Sequence, residues 1–344
     1  MRIPVWPAAA TLVALVAGGL AAAGEQAGTA PSGQLRPAAG GGTGGLDVLQ
    51  LRPDFYMIAG AGGNVAVQIG KDGVVLVNAG SADKADALVA AIRGLTDRPI
   101  RYVINTSADP DHVGGNAKVA RAGRTIFPLG NETASAMTND GAAAILATEN
   151  VLRRMSAPSD RTPPYPAAAL PTEAFHQPRS YMYLNGEGIE TLHQPAAHTD
   201  GDAVVFFRRS DVVVAGDIIH TDRFPVIDVD RGGSVQGEID ALNRLMDLAI
   251  PAVPFDWRDE EGTVVVPARG RICDQIDVAD YRDMVTIVRD RVRQLVKEGK
   301  TLAEVQAASP TQGFTRRYGS DSGPWTTQMF VEAVYTSLAR EIAR

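Results

Sequence analysis

The sequence predicts a mixed α/β fold built as one large domain, and three observations predict it. Short runs of Val, Ile, Leu and Tyr separated by glycine-bearing turns recur through much of the chain and read as strands. Between and after them lie longer runs whose apolar residues recur every three or four positions, the spacing of one helical face. With 344 residues, 45% hydrophobic and 21% charged, the chain can build a substantial core and does not require a second full domain.

The chain opens with Met1-Arg2, an apolar stretch from Val5 to Leu20, and Ala21-Ala22-Ala23 before Gly24. A basic start, an apolar middle and small residues at the cut form the pattern of a secretory signal peptide over residues 1–23. The sequence therefore predicts cleavage near Ala23 and an exported protein, periplasmic or secreted. An uncleaved membrane anchor is the rival reading, opposed by the short run and by Pro7. No later segment is long and apolar enough to suggest a stable membrane span after cleavage. Residues 24–46, rich in Gly, Ala, Ser and Pro, read as a disordered linker, because they bury too little surface to offset the entropy of ordering.

The main domain is expected over residues 47–275. Tyr56–Ile58, Val65–Ile69 and Val74–Val77, the last two joined by Lys71-Asp72-Gly73, predict an antiparallel meander. Ser81 is placed to cap a helix carrying Ala85, Leu88, Val89 and Ile92 on one face, with Gly94 to stop it. Ile100, Tyr102 and Ile104 alternate as in a strand, and Thr125–Leu129 reads as another. Ala142–Met155 reads as a helix, and residues 158–171, with five prolines, as a loop. Tyr181–Leu184 and Ile189–Leu192 flank Asn185-Gly186-Glu187-Gly188 as a hairpin. Val204–Phe207 and Val212–Val214 supply two more strands, and Ser234 or Gln236 opens a helix reaching Leu248. Residues 276–344 read as a helical extension. Val278, Tyr281, Val285, Val288, Val292 and Leu295 draw one stripe on a long helix, to be packed on the main body or used in a dimer contact; monomer and dimer both stay open. Thr301–Ala308 and Thr326–Ala343 add helical segments.

A net charge of −7 with scattered basic residues gives no footprint for nucleic acid, which leaves a small molecule as the expected partner. The single Cys273 can form no internal disulfide and has no activated-thiol context.

The chemistry concentrates in Ser107-Ala108-Asp109-Pro110-Asp111-His112-Val113-Gly114-Gly115, between a strand end and a helix start. Further on come His198 in Ala-Ala-His-Thr-Asp-Gly-Asp, Asp217 in Val-Val-Val-Ala-Gly-Asp, and Arg269 in Val-Val-Val-Pro-Ala-Arg-Gly. In the order and context of these motifs the chain resembles the metallo-β-lactamase superfamily, whose signatures here are His-x-His-x-Asp-His with Gly-Gly, and later Pro-Gly-His-Gly. Ser107 and Asp109 stand where that signature has its first two histidines, and Arg269 where it has its last. Asn78-Ala79-Gly80 replaces the usual Asp-Thr-Gly.

The resemblance implies a four-layer αβ/βα sandwich with a C-terminal helical extension. It also implies a metal set of Asp109, Asp111, His112, His198 and Asp217, with Asp111 as the catalytic candidate. Because three histidines are replaced, the expectation is at most one divalent ion (Zn, Mn or Fe), or none. Two functions remain open: a hydrolase of a small ester, amide or lactone working weakly or with one metal, and a non-catalytic binding protein in which Arg269 supplies the lost metal charge. A guanidinium repels a divalent cation and its fork suits a carboxylate, so Arg269 is expected to pair with Asp111 or Asp217. Ser107 as a nucleophile, with His112 or His198 as base, is a further option. His220 is a spare ligand or a surface residue, and His176 and His193 are structural or solvent-facing.

Overall fold

The computed structural model describes residues 45–126, 141–157, 164–252 and 262–342. All of these lie in one compact unit, Leu35–Arg344. The expected signal peptide and most of the expected linker lie outside the described residues. Leu46, the linker's last residue, is buried in the core at the foot of the first strand.

The first sheet runs in chain order from β1 (Asp47–Arg52) through β2 (Phe55–Ala59), β3 (Val65–Gly70), β4 (Gly73–Val77), β5 (Ile100–Ile104) and β6 (Ala144–Thr148) to β7 (Glu173–Phe175). Pairing is antiparallel up to β4 and parallel beyond it. The second sheet has the order β12-β11-β10-β9-β8, from β8 (Arg179–Leu184), β9 (Glu187–Gln194), β10 (Asp202–Phe207), β11 (Val212–His220) and β12 (Val264–Arg269). Its one parallel pair is β11 with β12.

Two-residue periodicity divides each strand between two cores. Val75 and Val77 on β4 and Tyr102 and Ile104 on β5 face Val205, Phe207, Val212, Val214 and Val266 across the sandwich. Phe55 and Phe207 meet edge to face there, with ring centroids 4.8 Å apart. Val74, Leu76 and Val103 turn outward onto α1 (Ala85–Leu95) and the later helix α3 (Asn116–Ala122). On the other side, Val204, Val213 and Val265 pack under α5 (Val235–Leu248), α6 (Gln275–Lys297) and α9 (Thr327–Ile342). The result is helix, sheet, sheet, helix, as the resemblance implies.

The stripe on α6 is spent inside the chain. Val278, Tyr281, Val285, Val288 and Val292 are buried with α5 and α9, and Leu295 packs at the edge of the same cluster, which removes the dimer contact through that face. An Asp274 capping box starts α6, so its entry onto the body is fixed by local bonds.

Several expectations are corrected. Ala142–Met155 is not one helix: Ala144–Thr148 is strand β6, and only Glu149–Ser156 (α4) is helical. Ser81 precedes a 3-10 turn at Ala82–Lys84 without capping it, its hydroxyl donating to Asp83 instead. Gly94 lies inside α1, which ends at Leu95. Thr125 and Ile126 are not in a strand, and the remainder of that expected element lies outside the described residues. In the proline-rich segment, residues 158–163 lie outside them as well, while Ala167–Ala169 forms a 3-10 turn. Among the described residues no helix is long and apolar enough to cross a membrane.

Candidate functional site

The central motif is not a free loop. After β5, a reciprocal amide pair between Asn105 and Asn116 (2.8 and 3.1 Å) ties its two ends together. Between them Pro110 opens a one-turn helix, α2 (Pro110–Val113), capped at its start by the Asp109 backbone. Gly115 makes the close approach possible, since a Cβ there would lie 2.2 Å from the Ala79 carbonyl oxygen. Asp217 arrives from the middle of β11, just after Gly216 with its left-handed φ of 59°, at an irregularity in the β11 and β12 pairing. His198 sits in the turn between β9 and β10. Buried Asp202 pins that turn by accepting from the Thr199 backbone N–H (2.6 Å) and hydroxyl (3.1 Å).

These segments bring Asp109, His198 and Asp217 together, with one ligand-capable atom from each lying within 4.8 Å of the others. His198 Nε2 is 2.9 Å from Asp109 Oδ2, and His112 Nε2 is 3.2 Å from Asp217 Oδ2. That second contact is an ion pair without hydrogen-bond alignment, so both of its buried atoms have no hydrogen-bond partner among the described residues.

The rings are oriented from behind. His198 Nδ1 is 2.7 Å from the Val226 carbonyl, which can only accept, so Nδ1 carries the proton and Nε2 faces the site. For His112, Asn78 Oδ1 accepts from both the backbone N–H (3.0 Å) and the hydroxyl (3.1 Å) of Thr106. The Thr106 hydroxyl therefore has its lone pairs left for His112 Nδ1, 3.1 Å away. Both imidazoles, when neutral, turn the Nε2 lone pair inward, which is the way metal-binding histidines are commonly held. Asn78, in the left-handed region at φ 68°, is the amide that stands where the family signature has Asp.

Charges in the site are balanced by neighbours. Burial opposes a charged His112, but the Asp217 carboxylate overcomes it and raises the ring's pKa to about 9. Burial also opposes ionised Asp217, yet His112 and then His198 hold it well below the usual carboxylate range. Asp109 is brought down to about 2 against burial by its hydrogen bond to His198. His198 is raised well above an ordinary imidazole, against burial, by Asp109 and Asp202. Asp111 stays beside the site, its Oδ2 3.9 Å from His112 Nε2, and is ion-paired with Arg269, the contact expected from sequence.

Of the other residues singled out, Ser107 is buried and accepts a hydrogen bond from the Asp109 backbone N–H (3.3 Å). His220 is a buried residue at the end of β11, not a surface one; burial lowers its pKa to about 4, and neither ring nitrogen has a hydrogen-bond partner among the described residues. It stands outside the three-residue group. His193 Nε2 is 2.8 Å from the Asp200 carbonyl, and His176 is exposed. Burial lifts the Cys273 thiol to about 12, which fits an inert core residue.

One residue of the site was not foreseen. Arg231 donates to Asp109 Oδ1 at 2.7 Å and lies 3.1 Å from Asp228 Oδ2. Its only trace in sequence is the Gly232-Gly233 pair closing the turn after it.

The donor set does not fit two zinc ions: with Ser107 and Arg269 in ligand places, neither half-site has its usual complement. It does fit one divalent ion. Arg269 neutralises Asp111, and Arg231 is shared between Asp109 and Asp228, so Asp109 and Asp217 keep a net negative charge. Here two protonated imidazoles offset that charge, and an ion on neutral imidazoles would do the same. His112 Nε2 and Asp217 Oδ2, an ion pair 3.2 Å apart that makes no hydrogen bond among the described residues, are where such an ion would find ligands.

A family model of the metallo-beta-lactamase superfamily matches residues 59–255. No curated protein matches the chain significantly. Among solved structures, the stereoselective inverting sec-alkylsulfatase Pisa1 from Pseudomonas sp. is similar with a TM-score of 0.57 and 16% identity, covering 84% of this chain and 49% of that one. A double mutant of PisA1 gives a TM-score of 0.60 at 16% identity and the same coverage. A metallo-beta-lactamase from Pontibacter korlensis gives 0.50 at 15% identity, covering 70% of this chain and 99% of that one. The chain spans about half the length of the alkylsulfatase. At these identities the likeness is one of fold.

Proposed function

The chain belongs to the metallo-β-lactamase superfamily, and from that premise we propose that it is a hydrolase reduced to a one-ion centre on Asp109, His198 and Asp217, with His112 at its edge. The observation that carries this reading is the pair of imidazoles whose Nδ1 atoms are tied from behind while both Nε2 atoms face carboxylates in one buried pocket. A ligand set of carboxylates and imidazoles without thiolate suits manganese, iron or zinc. When bound, such an ion supplies Lewis acidity, polarising a substrate oxygen and lowering the pKa of water.

The chain's own groups do the rest. Arg231 fixes Asp109, and Val226 and Thr106 fix the rings. Arg269 holds Asp111 as an ion pair, so this carboxylate is positioned at the rim, outside the three-residue group. The substrate is a small molecule with an ester, amide or lactone bond, and sulfate esters belong in the panel because a structural neighbour is an alkylsulfatase. The protein acts after export, on the pattern of residues 1–23. A second reading rests on the Arg269 and Asp111 pair: a non-catalytic ligand-binding protein in which guanidinium charge stands in for metal.

The test is to strip the protein with a chelator, add back Mn, Fe or Zn singly, and follow hydrolysis of that panel. Turnover that disappears on stripping and returns with one equivalent supports the hydrolase. Binding of panel compounds with no turnover under any metal supports the second reading.

A further inference from the structure

The loop between β2 and β3, Gly60-Ala61-Gly62-Gly63-Asn64, lies over the site and is fastened at both ends. The Ser81 backbone N–H donates to the Ala61 carbonyl (2.7 Å), and the Asn64 backbone N–H donates to the Ala268 carbonyl (2.7 Å). The buried Asn64 amide adds bonds to the carbonyls of Pro267 (2.9 Å) and Gly270 (3.1 Å), either side of Arg269. Three hydrogen bonds from Asn64 therefore tie the roof to the end of β12.

Gly63 in this roof is not demanded by the backbone, since its φ lies outside the left-handed region that Gly60 and Gly62 occupy. A Cβ at position 63 would stand 3.2 Å from the Ala268 carbonyl oxygen, 3.7 Å from the Asp111 carbonyl oxygen and 3.8 Å from His112 Nε2. The first contact asks the neighbour to give by a few tenths of an ångström, and the other two are ordinary van der Waals distances. Within the fold alone, what alanine costs is decided by how far the Ala268 carbonyl, held by the Asn64 N–H, can give. The added methyl would also stand beside His112 Nε2, which is ion-paired with Asp217 Oδ2 at 3.2 Å and, among the described residues, has no hydrogen-bond partner.

We propose that Gly63 is a specificity-determining residue, which keeps clear the space beside His112 and Asp217 and so sets the size of what the site admits, while Asn64 holds the roof at that height. The proposal rests on the one-ion reading and goes beyond it, because it assigns the clearance to a residue that ligates nothing.

The probe is Mn(II), titrated into metal-free protein and read by the electron paramagnetic resonance of the free ion, beside thermal unfolding of each metal-free variant. The parent takes up one equivalent. Gly63→Ala binds about tenfold more weakly, whereas Gly94→Ala, whose added methyl meets open space on α1, keeps the parental affinity and melts at or above the parental temperature. Asn64→Ala, which adds no atom, loses Mn(II) to EDTA several times faster than the parent, and this arm stands even if Gly63→Ala folds poorly. A folded Gly63→Ala variant with parental affinity, or Asn64→Ala stripped at the parental rate, overturns the proposal. A parent that takes up no Mn(II) removes the one-ion reading itself and the proposal with it.

Discussion

An Asp217→Asn variant is expected to lose divalent-metal uptake by at least about a hundredfold and to be less stable than the parent by about 3 kcal/mol at or below pH 6.5 in metal-free buffer. The amide keeps the shape of the side chain and removes the charge that holds the His112 proton. In the folded parent the ring titrates at about 9 against an ordinary 6.5, so its contribution is fully present below about pH 6.5 and is lost as pH rises through about 9. Asp217 itself is depressed, so its contribution is present above the ordinary carboxylate pKa and is lost only in strong acid. The gap between parent and variant should therefore be widest between about pH 4 and 6.5 and close near pH 10. Denaturant unfolding at pH 6 and pH 10 checks this. A gap of equal size at both values would mean that Asp217 acts by packing, and that the imidazolium and carboxylate pair contributes little.

The triple variant Ser107→His, Asp109→His, Arg269→His is expected to bind two zinc ions, with zinc affinity raised by about 4 kcal/mol, or roughly a thousandfold. Asp111, His112, His198 and Asp217 already lie around the pocket, and replacing Arg269 both frees Asp111 and removes a charge that repels the metal. Each single replacement should do little, because a half-site still lacks a ligand or keeps the opposing guanidinium, and effects within one site are not additive. Isothermal titration with zinc separates the outcomes. A folded triple variant with unchanged uptake would show that the loops have drifted from ligating geometry.

How much of this was legible in the sequence depended on the range of the interaction. Period and punctuation located the meander from Tyr56 to Val77, the Asn185-Gly186 hairpin and the α6 stripe, because each is decided by neighbours close in sequence. Strand β6 was hidden for a physical reason: as an inner parallel strand buried on both faces, Ala144–Thr148 shows no alternation, and its alanines favour a helix when read alone. At the site, motif order singled out Asp109, Asp111, His112, His198, Asp217 and Arg269, of which Asp109, His198 and Asp217 come together as one group. The supports were not. Arg231 meets Asp109 across 122 residues of chain, and Asn64 clamps the Arg269 segment across more than 200, contacts that no local pattern announces. Asn78 was noticed only as a missing carboxylate. Its role in setting the His112 tautomer through Thr106 depends on a left-handed backbone that sequence does not display.

The claim at the centre of this account is that the pocket of Asp109, His198 and Asp217 holds a single divalent ion. Elemental analysis of protein isolated without chelator, then exposed to excess metal and passed through a desalting column, tests it most directly. The account predicts one equivalent of divalent metal per chain in the parent and none in Asp217→Asn. Two tightly held ions per parent chain, or none after exposure to excess manganese, iron and zinc, would contradict it.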